Sequence, residues 1–91
     1  MRIAIIGTGY VGLVSGICFA EAGHNVVCLD ESEDKIKRLL EGDLPIYEPK
    51  LKTLLDKNLE KESINFTVDK SDAIRSADVI FVAVGTPAKK E

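Results

Sequence analysis

Ninety-one residues, with 15 acidic and 12 basic side chains and a formal net charge of −3, supply one modest hydrophobic core and no basic footprint for nucleic acid or an anionic membrane. At 45% hydrophobic and 30% charged, the composition is that of an ordinary folded domain and excludes disorder. Ile3 to Ala20 runs 18 residues without a charge, long enough to raise a membrane span or a leader, but four glycines interrupt it, Arg2 alone precedes it and no small-x-small cleavage site is evident.

The apolar run Ile3-Ala4-Ile5-Ile6 reads as a strand. It meets Gly7-Thr8-Gly9-Tyr10-Val11-Gly12, spaced G-x-G-x-x-G, and passes without a polar break into a helical pattern. Each glycine has a task in phosphate binding: Gly7 turns the chain sharply, Gly9 leaves room for a pyrophosphate, and Gly12 lets the helix lie close to the strand. A helix that begins near Tyr10 aims unpaired backbone N–H groups and the positive end of its dipole at the same point, so Tyr10 and Val11 offer main-chain donors there. The helix is expected from about Val11 to Ala22, stopped at Gly23, with Gly12, Gly16 and Ala20 forming a smooth stripe for a sheet. Being apolar nearly all round, it should be covered on more than one side.

Asn25 to Asp30 is a second strand, apolar on both faces, with Asp30 at its carboxyl end 23 positions after Gly7. Ser32 can cap a helix through about Glu41. Asp43 to Pro49 is an irregular connection expected to pack down through Leu44, Ile46 and Tyr47, and Pro49 suits the first position of a helix carrying Leu51, Leu54, Leu55 and Leu59. Ile64 to Val68 alternates like a strand with one wet face. Asp69 or Ser71 can cap a short helix through Ala77, and Val79 to Val84 is a fourth strand, apolar on both faces.

These elements give an α/β fold, the first half of a doubly wound parallel sheet in the order 3-2-1-4, with residues 1–91 as one unit. The half-polar third strand suits an edge. The fourth strand carries no charge or proline to protect an edge, so it is expected to have a neighbour, either in a longer protein of which this is the amino-terminal piece or in another copy of the chain.

Asp30 is placed to accept hydrogen bonds from the adenosine ribose, and its charge would repel a 2′-phosphate, which favours NAD over NADP. The bland alternative is that it belongs to the start of the next helix. Gly85-Thr86-Pro87 follows the fourth strand at the crevice where a ligand crosses such a sheet; an ordinary loop has the same spacing. Glu48, beside Tyr47, is either a catalytic carboxylate or, more simply, a helix-start acid next to a packed tyrosine. Cys18 and Cys28 lack C-x-x-C spacing and read as buried free thiols of a reducing, cytoplasmic compartment; His24 sits in a turn, and no metal site can be assembled.

Four stretches together resemble the amino-terminal region of the UDP-glucose/GDP-mannose dehydrogenases: Gly7-Thr8-Gly9-Tyr10-Val11-Gly12-Leu13; Phe19-Ala20-Glu21-Ala22-Gly23-His24 leading to Asp30; Pro45-Ile46-Tyr47-Glu48-Pro49; and Ala77 through Pro87. The likeness covers essentially the whole chain and is greatest to members acting on UDP-glucose. It implies a Rossmann-like fold and a parent enzyme that oxidises the sugar C6 alcohol to a carboxylate in two NAD-dependent steps, through a thiohemiacetal on a catalytic cysteine. By that resemblance Gly7, Gly9, Tyr10, Val11 and Gly12 surround the pyrophosphate, Asp30 and Lys35 the adenosine ribose, and Thr86 the nicotinamide side. Neither Cys18 nor Cys28 matches the catalytic cysteine, so this chain alone is expected to be inactive, its nucleotide-sugar substrate being met by the rest of the parent. Lys50 departs from the glycine usual after Tyr-Glu-Pro. The competing readings are a stand-alone nucleotide-binding module, or one that forms a homodimer through its fourth strand, and another dehydrogenase of the same fold.

Overall fold

The structure, a computed structural model, describes residues 1–83. In chain order it holds β1 (Arg2–Ile6), α1 (Tyr10–Glu21), β2 (Asn25–Leu29), α2 (Glu33–Leu40), α3 (Pro49–Glu60), β3 (Ile64–Thr67), α4 (Lys70–Ile74) and β4 (Val79–Val82). The strands are parallel and lie in the order β3-β2-β1-β4, the expected doubly wound arrangement.

Register places Phe66, Cys28, Ile5 and Phe81 side by side in one row, all on the face that α1 covers. Gly12, Gly16 and Ala20 are buried along that contact, and a Cβ on Gly16 would come within 2.9 Å of the Cys28 sulfur, so the smooth stripe is what lets helix and sheet approach. Ile5, Ile17 and Leu55 are completely buried in the resulting core, each contributing about 1.5–3 kcal/mol. α3 packs beside α1 and against β3, and there Glu21 accepts from Lys57 Nζ at 3.1 Å and from the buried Asn58 Nδ2 at 3.2 Å. Those two bonds hold the Glu21 carboxyl below the ordinary range. The opposite face of the sheet, with Val27 and Asn65, is where α4 and its buried Ala73 lie.

The helix starts follow their capping residues. Ser32 Oγ accepts from the Lys35 N–H at 3.2 Å, and Asp69, rather than Ser71, caps α4 by accepting from Asp72 N–H at 3.1 Å. α4 stops at Ile74, short of Ala77, and the Arg75 and Ser76 that follow are exposed.

Two expectations need correction. Cys18 is exposed, since the sheet and α3 cover two sides of α1 and leave a third open; Val11 is exposed as well. Tyr47 does not pack down: Leu44 and Ile46 reach the core, but Tyr47 stands fully in solvent on the other side of the same short connection.

Candidate functional site

At the carboxyl end of the sheet, β1 runs into the glycine loop. Gly7 adopts φ +103°, a region side chains avoid, and its N–H reaches across to the Leu29 carbonyl at 2.8 Å. A Cβ on Gly12 would collide with the Gly7 carbonyl oxygen and approach Ala83 Cβ to 3.0 Å, so only glycine admits this seating of α1. Gly9 differs: a Cβ there would meet nothing within 4 Å, and the space beside it is open.

Gly9 is also the N-cap of α1, and no side chain caps the helix or places an acid in its first turn. Its 12 residues therefore present uncompensated N–H groups at Tyr10 and Val11, whose side chains point outward to solvent. A helix start of this kind favours an anion.

Asp30 stands one residue past β2, beside the same loop. Its Oδ2 accepts from the Thr8 hydroxyl at 2.6 Å and the Thr8 N–H at 3.2 Å, while Oδ1 accepts from the Ser32 N–H at 3.0 Å. Lys35 Nζ lies 3.7 Å from Oδ2. Partial burial, leaving 19% of the side chain exposed, pushes the Asp30 carboxyl up; the bonds from Thr8 and Ser32 and the charge of Lys35 together outweigh it, and the net shift is downward. Asp30 is thus an ionised acceptor at neutral pH.

A cleft of about 500 Å³ opens here, lined by Ile6, Gly7, Leu29, Asp30, Glu31, Val68 and Lys70. Apolar Ile6, Leu29 and Val68 form a wall against which a flat ring can rest, with acids on one rim. A second cleft, of about 440 Å³, lies at the other end of the strands among Arg2, Asn25, Ser63 and Ser76; no glycine loop faces it, and open α/β sheets take ligands at the carboxyl ends.

The structure therefore brings Gly7, Gly9, Tyr10, Val11, Gly12, Asp30 and Lys35 to one corner. Thr86, with Gly85 and Pro87, lies outside the described residues. Glu48 is a helix-start acid: its Oε1 accepts from Lys50 N–H at 3.0 Å, at the opening of α3. Cys28 is buried, and burial pushes its thiol up to about 12, which makes it inert as a nucleophile. Thr8, Val68 and Lys70 were not foreseen. A polar residue between two glycines of an apolar run was the available signal for Thr8; nothing in the spacing marked Val68 or Lys70.

These features suit a dinucleotide diphosphate: open space at Gly9, free helix N–H groups above it and an ionised acceptor for a ribose beside it. Comparison with known proteins agrees. Residues 1–91 match the model of the UDP-glucose/GDP-mannose dehydrogenase family, NAD binding domain. The chain is 56% identical over 89 residues to the UDP-glucose 6-dehydrogenase TuaD of Bacillus subtilis, covering 98% of this chain and 19% of that protein. It is 51% identical over 90 residues to a UDP-glucose 6-dehydrogenase of Rhizobium meliloti, covering 99% and 21%. The fold superposes on a ternary complex of GDP-mannose dehydrogenase from Pseudomonas aeruginosa with a TM-score of 0.92 at 42% identity, over 98% of this chain and 20% of that one. The chain thus spans about a fifth of the length of the relatives it matches.

Proposed function

We propose, because this chain belongs to the UDP-glucose/GDP-mannose dehydrogenase family as an NAD-binding domain, that it is the amino-terminal part of that domain in a UDP-sugar 6-dehydrogenase, with UDP-glucose as the substrate of the parent. The parent activity in this reading is oxidation of the sugar C6 alcohol to a carboxylate, and NAD, when bound, supplies the hydride acceptor for both steps. The residues of this chain bind and orient. Gly9 gives the diphosphate room, the N–H groups of Tyr10 and Val11 donate to it, and Gly7 and Gly12 hold the loop to the strand. Asp30 accepts from the adenosine ribose, with Lys35 beside it, and Thr86 serves the nicotinamide side.

Ile6, Leu29 and Val68 would carry the adenine ring. The Asp30 carboxylate at the ribose position disfavours a 2′-phosphate; Lys70 lines the same cleft, but the nearer Lys35 is drawn to Asp30 itself, so NAD is taken in preference to NADP. No residue here is assigned a covalent role, and the isolated chain is expected to bind the cofactor without turning over sugar.

The observation that carries this reading is the uncapped start of α1 joined to the Asp30 carboxylate through Thr8. Titrating NAD⁺ and NADP⁺ into the chain and an Asp30→Ala variant tests it. Saturable binding of NAD⁺, weaker binding of NADP⁺ and loss of NAD⁺ affinity in the variant are expected; equal NAD⁺ affinity in both proteins contradicts it.

The uncovered side of β4 supports a further part of the reading. Ile80, Phe81 and Val82 are 46%, 43% and 70% exposed, a waste of apolar surface unless another strand lies beside them. We assign that place to a following strand of a longer parent, with a second copy of the chain as the rival occupant; light scattering separates a monomer from a dimer. A reducing, cytoplasmic setting goes with this reading and suits the free thiols of Cys18 and Cys28. Among the described residues no helix is long and apolar enough to cross a membrane.

A further inference from the structure

We propose that Thr8 is a positioning residue for the cofactor: it grips Oδ2 of Asp30 and so presents Oδ1 to the adenosine ribose, a role that rests on the dinucleotide reading above. Thr8 is 1% exposed, in a motif that asks nothing of its second position beyond fitting between two glycines. A hydroxyl so buried must find a partner. Its partner is Asp30 Oδ2, at 2.6 Å, and the Thr8 N–H points to the same oxygen at 3.2 Å.

A carboxylate offers about four acceptor positions, two on each oxygen. Oδ2 has both filled by Thr8, with Lys35 Nζ a further 3.7 Å away, whereas Oδ1 carries one bond, from the Ser32 N–H. The remaining lone pair is therefore on Oδ1. A carboxylate rotates readily about its last torsion, whose profile is broad, so a group that fixes one oxygen selects which oxygen a ligand meets. The same bond ties the diphosphate loop to the ribose acid across 22 residues of sequence, so that both contacts are set by one geometry. It also favours the ionised carboxylate, which is the form that accepts from a ribose hydroxyl.

Valine matches threonine in shape and lacks the hydroxyl. The test is equilibrium titration of NAD⁺ against the 91-residue chain, Thr8→Val and Thr8→Ser, from about pH 2.5 to about pH 8, with circular dichroism at each pH, so that the window reaches below the ordinary aspartate value. Affinity should be present above the Asp30 pKa and fall as pH drops through it. Thr8→Val should bind NAD⁺ about tenfold more weakly at neutral pH, with its acid limb moved to higher pH, and Thr8→Ser should restore affinity to within about twofold with the limb back in place. Unchanged affinity and limb in Thr8→Val overturn the proposal and leave the cofactor reading standing. So does a loss that Thr8→Ser shares without any movement of the limb, since that is a packing effect. Failure of the unsubstituted 91-residue chain to bind NAD⁺ removes the cofactor reading and this role with it. Circular dichroism checks folding, and Thr8→Ala, judged by the same two readouts, replaces the valine variant where that one is unfolded.

Discussion

One row of the sheet contains four large or apolar side chains, Phe66, Cys28, Ile5 and Phe81, and their fates differ. The first three are buried under the helices; Phe81 is 43% exposed, held by stacking on Phe19 at 5.2 Å between ring centres. The residues are equally suited to a core. What differs is the helix cover over each: α1 lies over β1 and β2, and α2 and α3 lie against β3 although it too is an edge, whereas among the described residues β4 packs mainly on β1 and the Phe19 ring. The comparison teaches that the glycine-loop corner is completed by the chain's own packing, whereas the β4 edge keeps apolar surface for something the described residues do not provide.

The most severe way to break the completed corner is Gly12→Val. Its Cβ would enter the Gly7 carbonyl and crowd Ala83, and we expect destabilisation of about 3 kcal/mol or more, a fall in Tm of about 12 °C or more by thermal melting. Asp30→Ala comes next. Removing a charged acceptor should weaken NAD⁺ binding by about tenfold to a hundredfold in calorimetry. Asp30→Asn isolates the charge, and the pH dependence has a definite sign. Because the folded carboxyl lies below its ordinary value, cofactor affinity and the associated stability persist to lower pH than a free aspartate would allow, and are lost as pH falls through the folded pKa.

Much of this corner was legible because it is local. The strand, the glycines and the helix after them run without interruption from Arg2 to Glu21, and Asp30 closes the next strand; spacing alone carries such a pattern. The strand order was legible as well, since the half-polar Ile64 to Thr67 had to lie at an edge. What sequence could not reveal was which side of a uniformly apolar element would be left open. α1 has too little polar contrast to say that Cys18 and Val11 face solvent, and nothing about Tyr47 distinguishes it from Leu44 and Ile46, which do reach the core. The Thr8–Asp30 bond was invisible for a different reason: it joins residues brought together only when β1 and β2 pair.

Smaller effects sharpen the contrast. Asp69→Ala removes the cap of α4 and should cost about 1 kcal/mol of stability in denaturant titration. Val82→Lys, on the exposed edge, should change stability by no more than about 0.5 kcal/mol. It also decides what the edge is for: light scattering that shows a dimer for the unsubstituted 91-residue chain and a monomer for the lysine variant assigns the edge to a second copy, while monomers for both leave it to a further strand.

The central claim is that the diphosphate of NAD⁺ rests at the start of α1 with its ribose on Asp30. Titrating NAD⁺ into the ¹⁵N-labelled chain and following its amide resonances tests that most directly. Shifts concentrated at Gly7 to Gly12, at Asp30 and Glu31, and at Val68 to Lys70 are the predicted result. A silent glycine loop, with shifts gathered instead around Asn25, Ser63 and Ser76 at the opposite end of the strands, would contradict it.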